Sequence, residues 1–458
     1  MIPQSPQRTM LNPRLARLIQ VAQKPERLIV GLMSGTSLDG LDIALCRVRG
    51  HGQADPAKPM GEDLAGTQAV VEQFVTIPYS PEEKSRLRQV VSRENVQLKE
   101  VCILNGWLAR LHGRMVLEAL VDWGLAPSDL DALASHGQTI YHAPQSWGEP
   151  GESRTDGLGA GDPSPQGAGQ TGTGKSGANS ATLQLGDGDL LAHATGLITL
   201  SDFRQKEIAA GGQGAPLAPY MDWLLFHRRG QGRVLLNLGG IANYTWLPPQ
   251  GAGWLCSDTG PANTLIDRAV RDHLSHYPEG YDVEGRIARN GQVHGGLLAS
   301  LKAHPYFEAP APKSTGPEVF GEDYLREAMA RAGVAGVALQ HASPTHAASA
   351  LVGAEDLVAT LTRLTVDTVA ETLVRDIPSL HGAEVYVSGG GARNRTLMDW
   401  LVRTLPQADV ADFIRLGVPA DAKEALLMAV LANETLCGQG FRVAGSPPVG
   451  FGKISFPD

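Results

Sequence analysis

The residues best suited to chemistry lie in one short stretch, residues 31–42, which reads GLMSGTSLDGLD. Gly35 and Gly40 carry no side chain, so the backbone there can come close to an anion. Thr36 and Ser37 carry hydroxyls that can donate hydrogen bonds to phosphate oxygens. The stretch therefore suits a phosphate group, although an ordinary glycine turn capped by hydroxyls fits these residues equally well.

Two aspartates in the same stretch point to a cation. Asp39 and Asp42 cannot face a phosphate directly without a positive ion between them. Residues 28–30 are apolar, and residues 41–48 alternate partly between apolar and polar. This pattern predicts two strands joined by a hairpin tip, and it does not favour a strand that runs into a helix.

Length and charge limit the classes of protein that the chain can be. At 458 residues it exceeds what one core usually supports, so we expect two domains with a ligand cleft between them. A net charge of −9 without a long Lys/Arg block argues against nucleic acid or an anionic membrane as the main partner. The sequence has no apolar run of the roughly 18 residues that a membrane span needs.

The four cysteines are scattered, with neither metal-ligand spacing nor a disulfide framework. They fit free thiols in a reducing compartment, and the cytoplasm is the simplest location. Residues 1–26 contain Pro and Arg but no apolar signal-peptide core, so we expect a loosely held N-terminal extension. We place the first domain at residues 27–225 and the second at residues 226–458, whose last residues can cross back to the first.

The segments after the opening hairpin contain a second group of polar residues. Residues 68–77 predict a third strand, and residues 81–123 read as helical. A short apolar strand, residues 130–134, then leads into SHGQTIYH. His136 and Gln138 follow a buried strand, a position typical of active sites, although a core histidine bonded to the backbone is equally compatible.

Residues 147–180 differ from the rest, because Gly, Ser, Thr, Pro and Gln dominate and large apolar side chains are almost absent. We expect a flexible insertion there. Within it, residues 169–176 (GQTGTGKS) match the P-loop pattern letter for letter. A working P-loop needs a buried strand before it and a helix after it, so that N–H groups converge on the anion. Neither is predicted here, so we attribute the match to chance.

A carboxylate and a cation stand at the end of another predicted strand. Residues 197–200 form that strand, and SDFRQK follows it. Asp202 therefore lies at a strand end, with Arg204 two positions later. The glycine-rich turn at residues 209–217 permits close approach of the backbone to a ligand or to a partner strand.

The opening pattern recurs in the second half of the chain. Residues 233–238 predict a buried strand, residues 239–243 a glycine turn, and residues 244–247 a returning strand. The recurrence suggests two related domains that each supply one phosphate-facing hairpin to a shared cleft. Rossmann and P-loop proteins differ, because their phosphate loops run from a strand into a helix.

Further motifs follow toward the C-terminus. Residues 313–318 (KSTGPE) could grip a polar substrate, and a solvated loop fits them too. Residues 357–377 predict a long amphipathic core helix. A strand at residues 384–388 then leads to a triple glycine at 389–391, which removes side chains where a flat group could lie. Residues 421–432 predict a last helix.

In this order the motifs resemble those of the anhydro-N-acetylmuramic acid kinases, within the superfamily of sugar kinases, actin and heat-shock chaperone ATPases. The resemblance runs from residue 28 to residue 455, with the insertion as its main gap. It implies an α/β fold of two related actin-like ATPase domains, with mixed sheets flanked by helices and a cleft between them. It rests on residues 31–42, 135–139, 201–204, 209–217, 237–243, 258–263, 313–316, 389–394 and 421–425.

The resemblance implies a kinase that uses ATP and water to open the 1,6-anhydro ring of anhydro-N-acetylmuramic acid, a product of cell-wall recycling. The sugar 6-oxygen receives the phosphate, which gives N-acetylmuramic acid 6-phosphate. Mg²⁺ is the implied metal and a homodimer the implied assembly. Asp202 matches the catalytic aspartate, a general base for the attacking water.

The resemblance also assigns binding roles by motif. The implied ATP contacts are Gly35, Thr36, Ser37, Leu38, Asp39, Gly40, Leu41 and Asp42 at the phosphate loop, Gly239, Gly240 and Asn243 at the second hairpin, and Gly389, Gly390, Gly391 and Asn394 near the adenosine. The implied sugar contacts are His136, Gln138, Thr139, Arg204, Asp258, Lys313, Ser314 and Glu318. Asp39 or Asp258 would hold the metal, directly or through water.

Two departures from the family pattern are small. Ala262 stands where a glycine is common, and Glu284 stands where an aspartate is expected. Two other functions stay open at this point: a kinase of an ordinary, non-anhydro amino sugar, and a nucleotide-dependent regulator or chaperone that hydrolyses ATP without a sugar acceptor.

Overall fold

The computed structural model describes most of the chain: residues 12–35, 37–52, 66–93, 95–143, 180–209, 214–250, 254–338, 351–438 and 450–457. The expected insertion, with its P-loop-like string, lies outside the described residues except for Ser180, and so does Thr36. None of the helices in the described part is both long and apolar enough to cross a membrane.

Helices and strands alternate along the described residues. The helices are α1 (Pro13–Gln23), α2 (Pro81–Leu87), α3 (Leu98–Asp122), α4 (Gly188–Thr195), α5 (Phe203–Ala209), α6 (Ala218–Phe226), α7 (Asn263–His273), α8 (Arg286–Asn290), α9 (Gly295–Lys302), α10 (Glu322–Arg331), α11 (Ala354–Asp376), α12 (Arg395–Thr404) and α13 (Lys423–Cys437). The strands are β1 (Glu26–Ser34), β2 (Gly40–Arg49), β3 (Gln68–Pro78), β4 (Ala132–Ala143), β5 (Ala181–Leu185), β6 (Thr199–Ser201), β7 (Arg233–Leu238), β8 (Ile241–Leu247), β9 (Leu255–Pro261), β10 (Gly336–Ala338), β11 (Leu351–Gly353), β12 (Glu384–Ser388), β13 (Asp409–Asp412) and β14 (Lys453–Ser455).

The chain divides into two compact units. The first contains the described residues up to 143, those of 180–225 and those from 421 onward. The second contains the described residues of 226–420. The last helix and strand, α13 and β14, therefore belong to the first unit.

The first unit is built on a mixed sheet with the strand order β14-β6-β4-β1-β2-β3, and β5 pairs with β4. β1 pairs with β2 and β2 with β3 in antiparallel fashion, whereas β1 and β4 run parallel. The predicted hairpin and its third strand are confirmed. The loop between β1 and β2 is thus the tip of a hairpin formed by two inner strands of the sheet.

Helices cover the two faces of this sheet in different ways. Val30 and Leu32 of β1 join the apolar cluster that includes Leu104 and Leu108 of α3. Gly31 points the other way, where an added Cβ would lie 1.9 Å from the carbonyl oxygen of Ala425 in α13. Because neighbouring residues of a strand face opposite sides, glycine at position 31 lets α13 pack directly on the backbone of β1.

The second unit has a sheet with the order β13-β12-β7-β8-β9, in which β7, β12 and β13 run parallel and β8 and β9 antiparallel. The recurring strand, glycine turn and returning strand are confirmed as β7 and β8. The first half of α11 packs in a helical cluster with α7 to α10, and its second half packs against the sheet with α12. The α/β class with mixed sheets flanked by helices is confirmed.

Three segments differ from the sequence-based expectation. Residues 81–123 form two helices, because the chain turns between α2 and α3, where Ser92 adopts a φ of 54°. The short strand expected at residues 130–134 continues to Ala143, so His136 and Gln138 lie within β4. The expected loose extension contains α1, whose last carbonyls accept hydrogen bonds from the buried Arg27 side chain.

Candidate active site

The loop between β1 and β2 is held by its one large apolar residue. Leu38 adopts a φ of 59°, which is uncommon for a residue with a side chain, and its N–H donates to the Gly35 carbonyl at 3.2 Å. Its side chain is buried in the apolar cluster below the sheet. Leu38 therefore anchors its part of the loop in the apolar core of the first unit.

Gly35 and Gly40 differ in the space around their backbone. An added Cβ at Gly40 would lie 2.4 Å from the Ile77 carbonyl oxygen, so Gly40 is required by the packing of β3. At Gly35 the nearest atom would be Ser37 Oγ at 3.6 Å, which is ordinary contact. Packing therefore does not explain Gly35, and its open side is free for a ligand.

Negative charges gather beside the loop. Asp39 is exposed, and Asp42 accepts a hydrogen bond from Thr76 Oγ1 at 2.6 Å. Burial raises the pKa of Asp42, and the nearby charges of Asp421 and Asp39 add to that rise. An acidic group of this kind fits a cation that takes its other ligands from water and phosphate. The described residues contain no cluster of three or more His, Cys, Asp or Glu side chains able to hold a metal alone.

A buried chain of hydrogen bonds supports the end of β1. Ser34 Oγ donates to Gln138 Oε1 at 2.5 Å and so accepts from the Tyr79 hydroxyl at 2.7 Å. The Tyr79 oxygen in turn accepts from His112 Nε2 at 2.7 Å. Burial lowers the pKa of His112 to about 3, so the ring is neutral. The predicted sugar contact Gln138 is thus fully buried and engaged inside the first unit.

Asp202 follows β6 directly and stands at the entrance to α5. Its φ of 57° places it in the left-handed region, where Asp is one of the few tolerated residues. The carboxylate is partly exposed and forms an ion pair with Lys453 of β14, with 2.7 Å between Oδ2 and Nζ. The predicted position of Asp202 at the end of a strand is confirmed. Its contact with Lys453 was not predicted from the sequence.

His136 and Arg204 form a pair in which the imidazole is neutral. His136 Nδ1 donates to the Gly137 carbonyl at 2.9 Å, which leaves Nε2 to accept from Arg204 Nε at 2.9 Å. Burial, and then the Arg204 charge, lower the pKa of His136 to about 3. Arg204 Nη1 also donates to the Gly214 carbonyl at 2.8 Å. The His136 imidazole thus fixes the guanidinium of Arg204, which is two positions from Asp202 in sequence.

Thr139 is another expected sugar contact. Its Oγ1 accepts a hydrogen bond from Gln184 Nε2 at 3.2 Å.

The start of α13 lies close to these groups. Glu424 is near enough to Asp42 and Arg204 for their charges to interact. Lys423 forms an ion pair with the buried Asp222, with 2.9 Å between Nζ and Oδ1. Residues 421–425 belong to the family motifs, but the sequence assigned them no role at the site. The structure brings them to the same part of the first unit as the phosphate loop.

The second hairpin is braced by the start of α7. The N–H of Asn263 donates to the Gly239 carbonyl at 3.1 Å, and the N–H of Thr264 donates to the Gly240 carbonyl at 3.2 Å. The carbonyls of Gly239 and Gly240 thus accept hydrogen bonds within the second unit. Asn243 lies on β8, in register with Asn237 of β7 and Asp258 of β9.

The triple glycine after β12 packs closely against the end of β7. An added Cβ would lie 2.8 Å from the Leu238 carbonyl oxygen at Gly389 and 2.6 Å from Leu238 Cβ at Gly391. At Gly390 the nearest atom would be Asn263 Nδ2 at 3.5 Å. Only Gly390 of the three therefore has an open side. Asn394, which follows in the same motif, caps α12 by accepting a hydrogen bond from the Leu397 N–H at 2.9 Å.

Asp258 and the KSTGPE loop form a polar group in the second unit. Asp258 Oδ2 accepts from the Thr315 N–H at 2.9 Å and from Ser314 Oγ at 3.2 Å. The Lys313 ammonium donates to the Tyr306 carbonyl at 2.7 Å and lies 4.3 Å from the centre of that ring. Burial lowers the pKa of Lys313 to about 8. Glu318 is exposed beside Gly316.

Comparisons with known proteins cover nearly the whole chain. The family model described as anhydro-N-acetylmuramic acid kinase matches residues 27–150 and 166–450. A protein of that name from Pseudoalteromonas atlantica is 42% identical over 455 residues, which are 98% of this chain and 100% of the relative. One from Pseudoalteromonas translucida is 38% identical with the same coverage, and one from Caldanaerobacter subterraneus is 33% identical over 96% of this chain and 99% of the relative. The chain therefore belongs to the anhydro-N-acetylmuramic acid kinase family.

Proposed function

We propose that this chain is an ATP-dependent kinase that opens the 1,6-anhydro ring of anhydro-N-acetylmuramic acid and phosphorylates its 6-oxygen. The product is N-acetylmuramic acid 6-phosphate, an intermediate of cell-wall recycling and amino-sugar catabolism. The observation that carries the proposal is the match to the family over almost the full chain, which spans all the candidate motifs. The open side of Gly35 and the carboxylate of Asp202 support it, since the first unit holds both.

The reaction needs one base and one route for the phosphoryl group. Asp202 takes a proton from water while the water oxygen bonds to the anomeric carbon. The bond from that carbon to the 6-oxygen breaks, and the 6-oxygen bonds to the γ-phosphorus of ATP as ADP leaves. The proton ends on Asp202, and the charge of the opening oxygen passes into the phosphate ester.

Several residues would position the nucleotide. By the family motifs, Gly35 and its neighbours in the first hairpin would bind the phosphates, and so would Gly239 and Gly240 of the second hairpin. Gly390, whose added Cβ would lie 3.5 Å from its nearest neighbour, would leave room for the adenosine. Asp39 or Asp258 would hold Mg²⁺, which offsets charge on the β- and γ-phosphates when bound. Asp39 is exposed, whereas Asp258 Oδ2 already accepts two hydrogen bonds. We therefore favour Asp39.

Arg204 is the best supported of the sugar contacts. The neutral His136 fixes its guanidinium, so Arg204 would meet the sugar carboxylate while His136 acts behind it. By its family motif Ser314 would also bind the sugar, and its Oγ donates to Asp258 Oδ2 at 3.2 Å. The Lys313 ammonium is held by backbone carbonyls, so its contribution would be to shape that loop.

Asp202→Asn tests the role of the base. The amide keeps the size of the side chain but cannot take the proton, so turnover should fall by about 10²-fold or more while ATP affinity stays close to that of the wild type. Asp409→Asn is the control, because Asp409 also forms an exposed ion pair, with Arg415. Near-normal turnover in Asp202→Asn would remove it as the base.

We further propose a cytoplasmic location, because the four cysteines are free thiols that suit a reducing compartment, and a homodimer, from the family resemblance. Light scattering on the purified protein tests the second. A mass near 48.5 kDa, that of a single chain, would contradict it.

A further inference from the structure

Lys453 meets Asp202 although 251 positions of the sequence separate them. β14 pairs antiparallel with β6 at the edge of the first unit's sheet, and the register sets Lys453 opposite Ser201. Asp202 is the next residue, and the Lys453 ammonium donates to its Oδ2 at 2.7 Å. The contact therefore depends on the return of the chain to the first unit.

The two residues before Lys453 are closely packed. Gly452 adopts a φ of 75°, and an added Cβ there would lie 2.7 Å from the Ser201 carbonyl oxygen. Phe451 before it is buried, contacts the ring of Tyr220 and donates its N–H to Thr435 Oγ1 of α13 at 3.0 Å. The packing of these residues thus sets the backbone position from which the long Lys453 side chain extends.

Stability does not explain this contact. The Lys453 side chain is 61% exposed and that of Asp202 is 32% exposed. Exposed ion pairs contribute about 0–1 kcal/mol. What the pair does achieve is orientation, because the ammonium occupies Oδ2. Within the described residues, Oδ1 has no hydrogen bond that would compete with a water molecule.

We propose that Lys453 is a positioning residue for the proposed reaction. It holds Oδ2 of Asp202 so that Oδ1 faces the water that attacks the anomeric carbon. Asp202 remains the group that takes the proton, and Lys453 acts only through it. The inference rests on the proposed function, because it gives Asp202 a partner within that chemistry.

The test compares Lys453→Met, Lys453→Arg and the control Lys99→Met, which replaces an exposed lysine of α3. Each variant is assayed with ATP, Mg²⁺ and anhydro-N-acetylmuramic acid for kcat, both KM values and melting temperature. Misplacing a reacting group by about 1 Å can cost 10²-fold, so kcat of Lys453→Met should fall by about 10- to 100-fold. Both KM values should stay within about twofold, and Lys453→Arg should recover most of the rate.

A double variant shows whether Lys453 acts through Asp202. In the Asp202→Asn background, Lys453→Met should lower the residual rate no further, since residues that act as a unit are not additive. Wild-type kcat in Lys453→Met would overturn the inference. So would equal losses in the Met and Arg variants accompanied by a large drop in melting temperature, because that result indicates a structural role. A wild-type protein without sugar-dependent turnover would refute the proposed function itself, and the inference with it.

Discussion

Replacing Gly35 by alanine separates ligand binding from folding at the phosphate loop. The new methyl would lie 3.6 Å from Ser37 Oγ and would touch nothing closer in the described protein. A Gly→Ala change at an unstrained position stabilises a protein by about 0.4–1 kcal/mol, because it restricts the unfolded chain. The same methyl would occupy the side on which the phosphates are proposed to lie. ATP should therefore bind about tenfold more weakly or worse, a loss of about 1.4 kcal/mol or more.

Gly40→Ala is the matched control for this prediction. Its methyl would lie 2.4 Å from the Ile77 carbonyl oxygen, and overpacking of this kind costs about 1–3 kcal/mol. Urea unfolding without nucleotide measures the stability of both variants, and calorimetric titration measures their ATP affinity. A role of Gly35 in phosphate binding is refuted if Gly35→Ala binds ATP within about twofold of the wild type, or if its stability falls as much as that of Gly40→Ala.

Burial lowers the pKa of His112 and of His136 to about 3, so below pH 6.5 the unfolded chain binds protons that the folded protein does not. Between pH 7 and 5.5 the free energy of unfolding should fall by about 1 kcal/mol for each histidine; urea curves that stay flat over that range would contradict this. In the triple glycine, Gly390→Ala should weaken nucleotide binding without loss of stability, whereas Gly389→Ala should destabilise the protein. Calorimetric titration measures the binding, and thermal melting measures the stability. A destabilised Gly390→Ala that binds nucleotide normally would refute the nucleotide contact at Gly390.

Local pattern predicted the hairpins because their strands are regular. β1, β2 and β3 alternate or are apolar, and glycines mark the tip, so pairing partners adjacent in sequence could be inferred. The length of β4 could not be inferred, because polar residues fill its second half. Gln138 is buried there and accepts a hydrogen bond from Ser34, a partner 104 positions away.

Contacts between segments far apart in the chain could not be predicted from the sequence. Lys453 belongs to a strand of three residues, and nothing local signals that this strand pairs with β6. The glycines show the same limit, since a sequence cannot distinguish room for a ligand from close packing. Gly35 and Gly390 have open sides, whereas Gly40 meets the backbone of β3.

The destination of one water oxygen shows whether ring opening and phosphorylation are coupled. The protein is incubated with ATP, Mg²⁺ and anhydro-N-acetylmuramic acid in ¹⁸O-labelled water, and the sugar product is analysed by mass spectrometry. The proposed reaction should give N-acetylmuramic acid 6-phosphate with one ¹⁸O at the anomeric carbon and none in the phosphate. A phosphorylated sugar without the label, or no phosphorylated sugar at all, would contradict it.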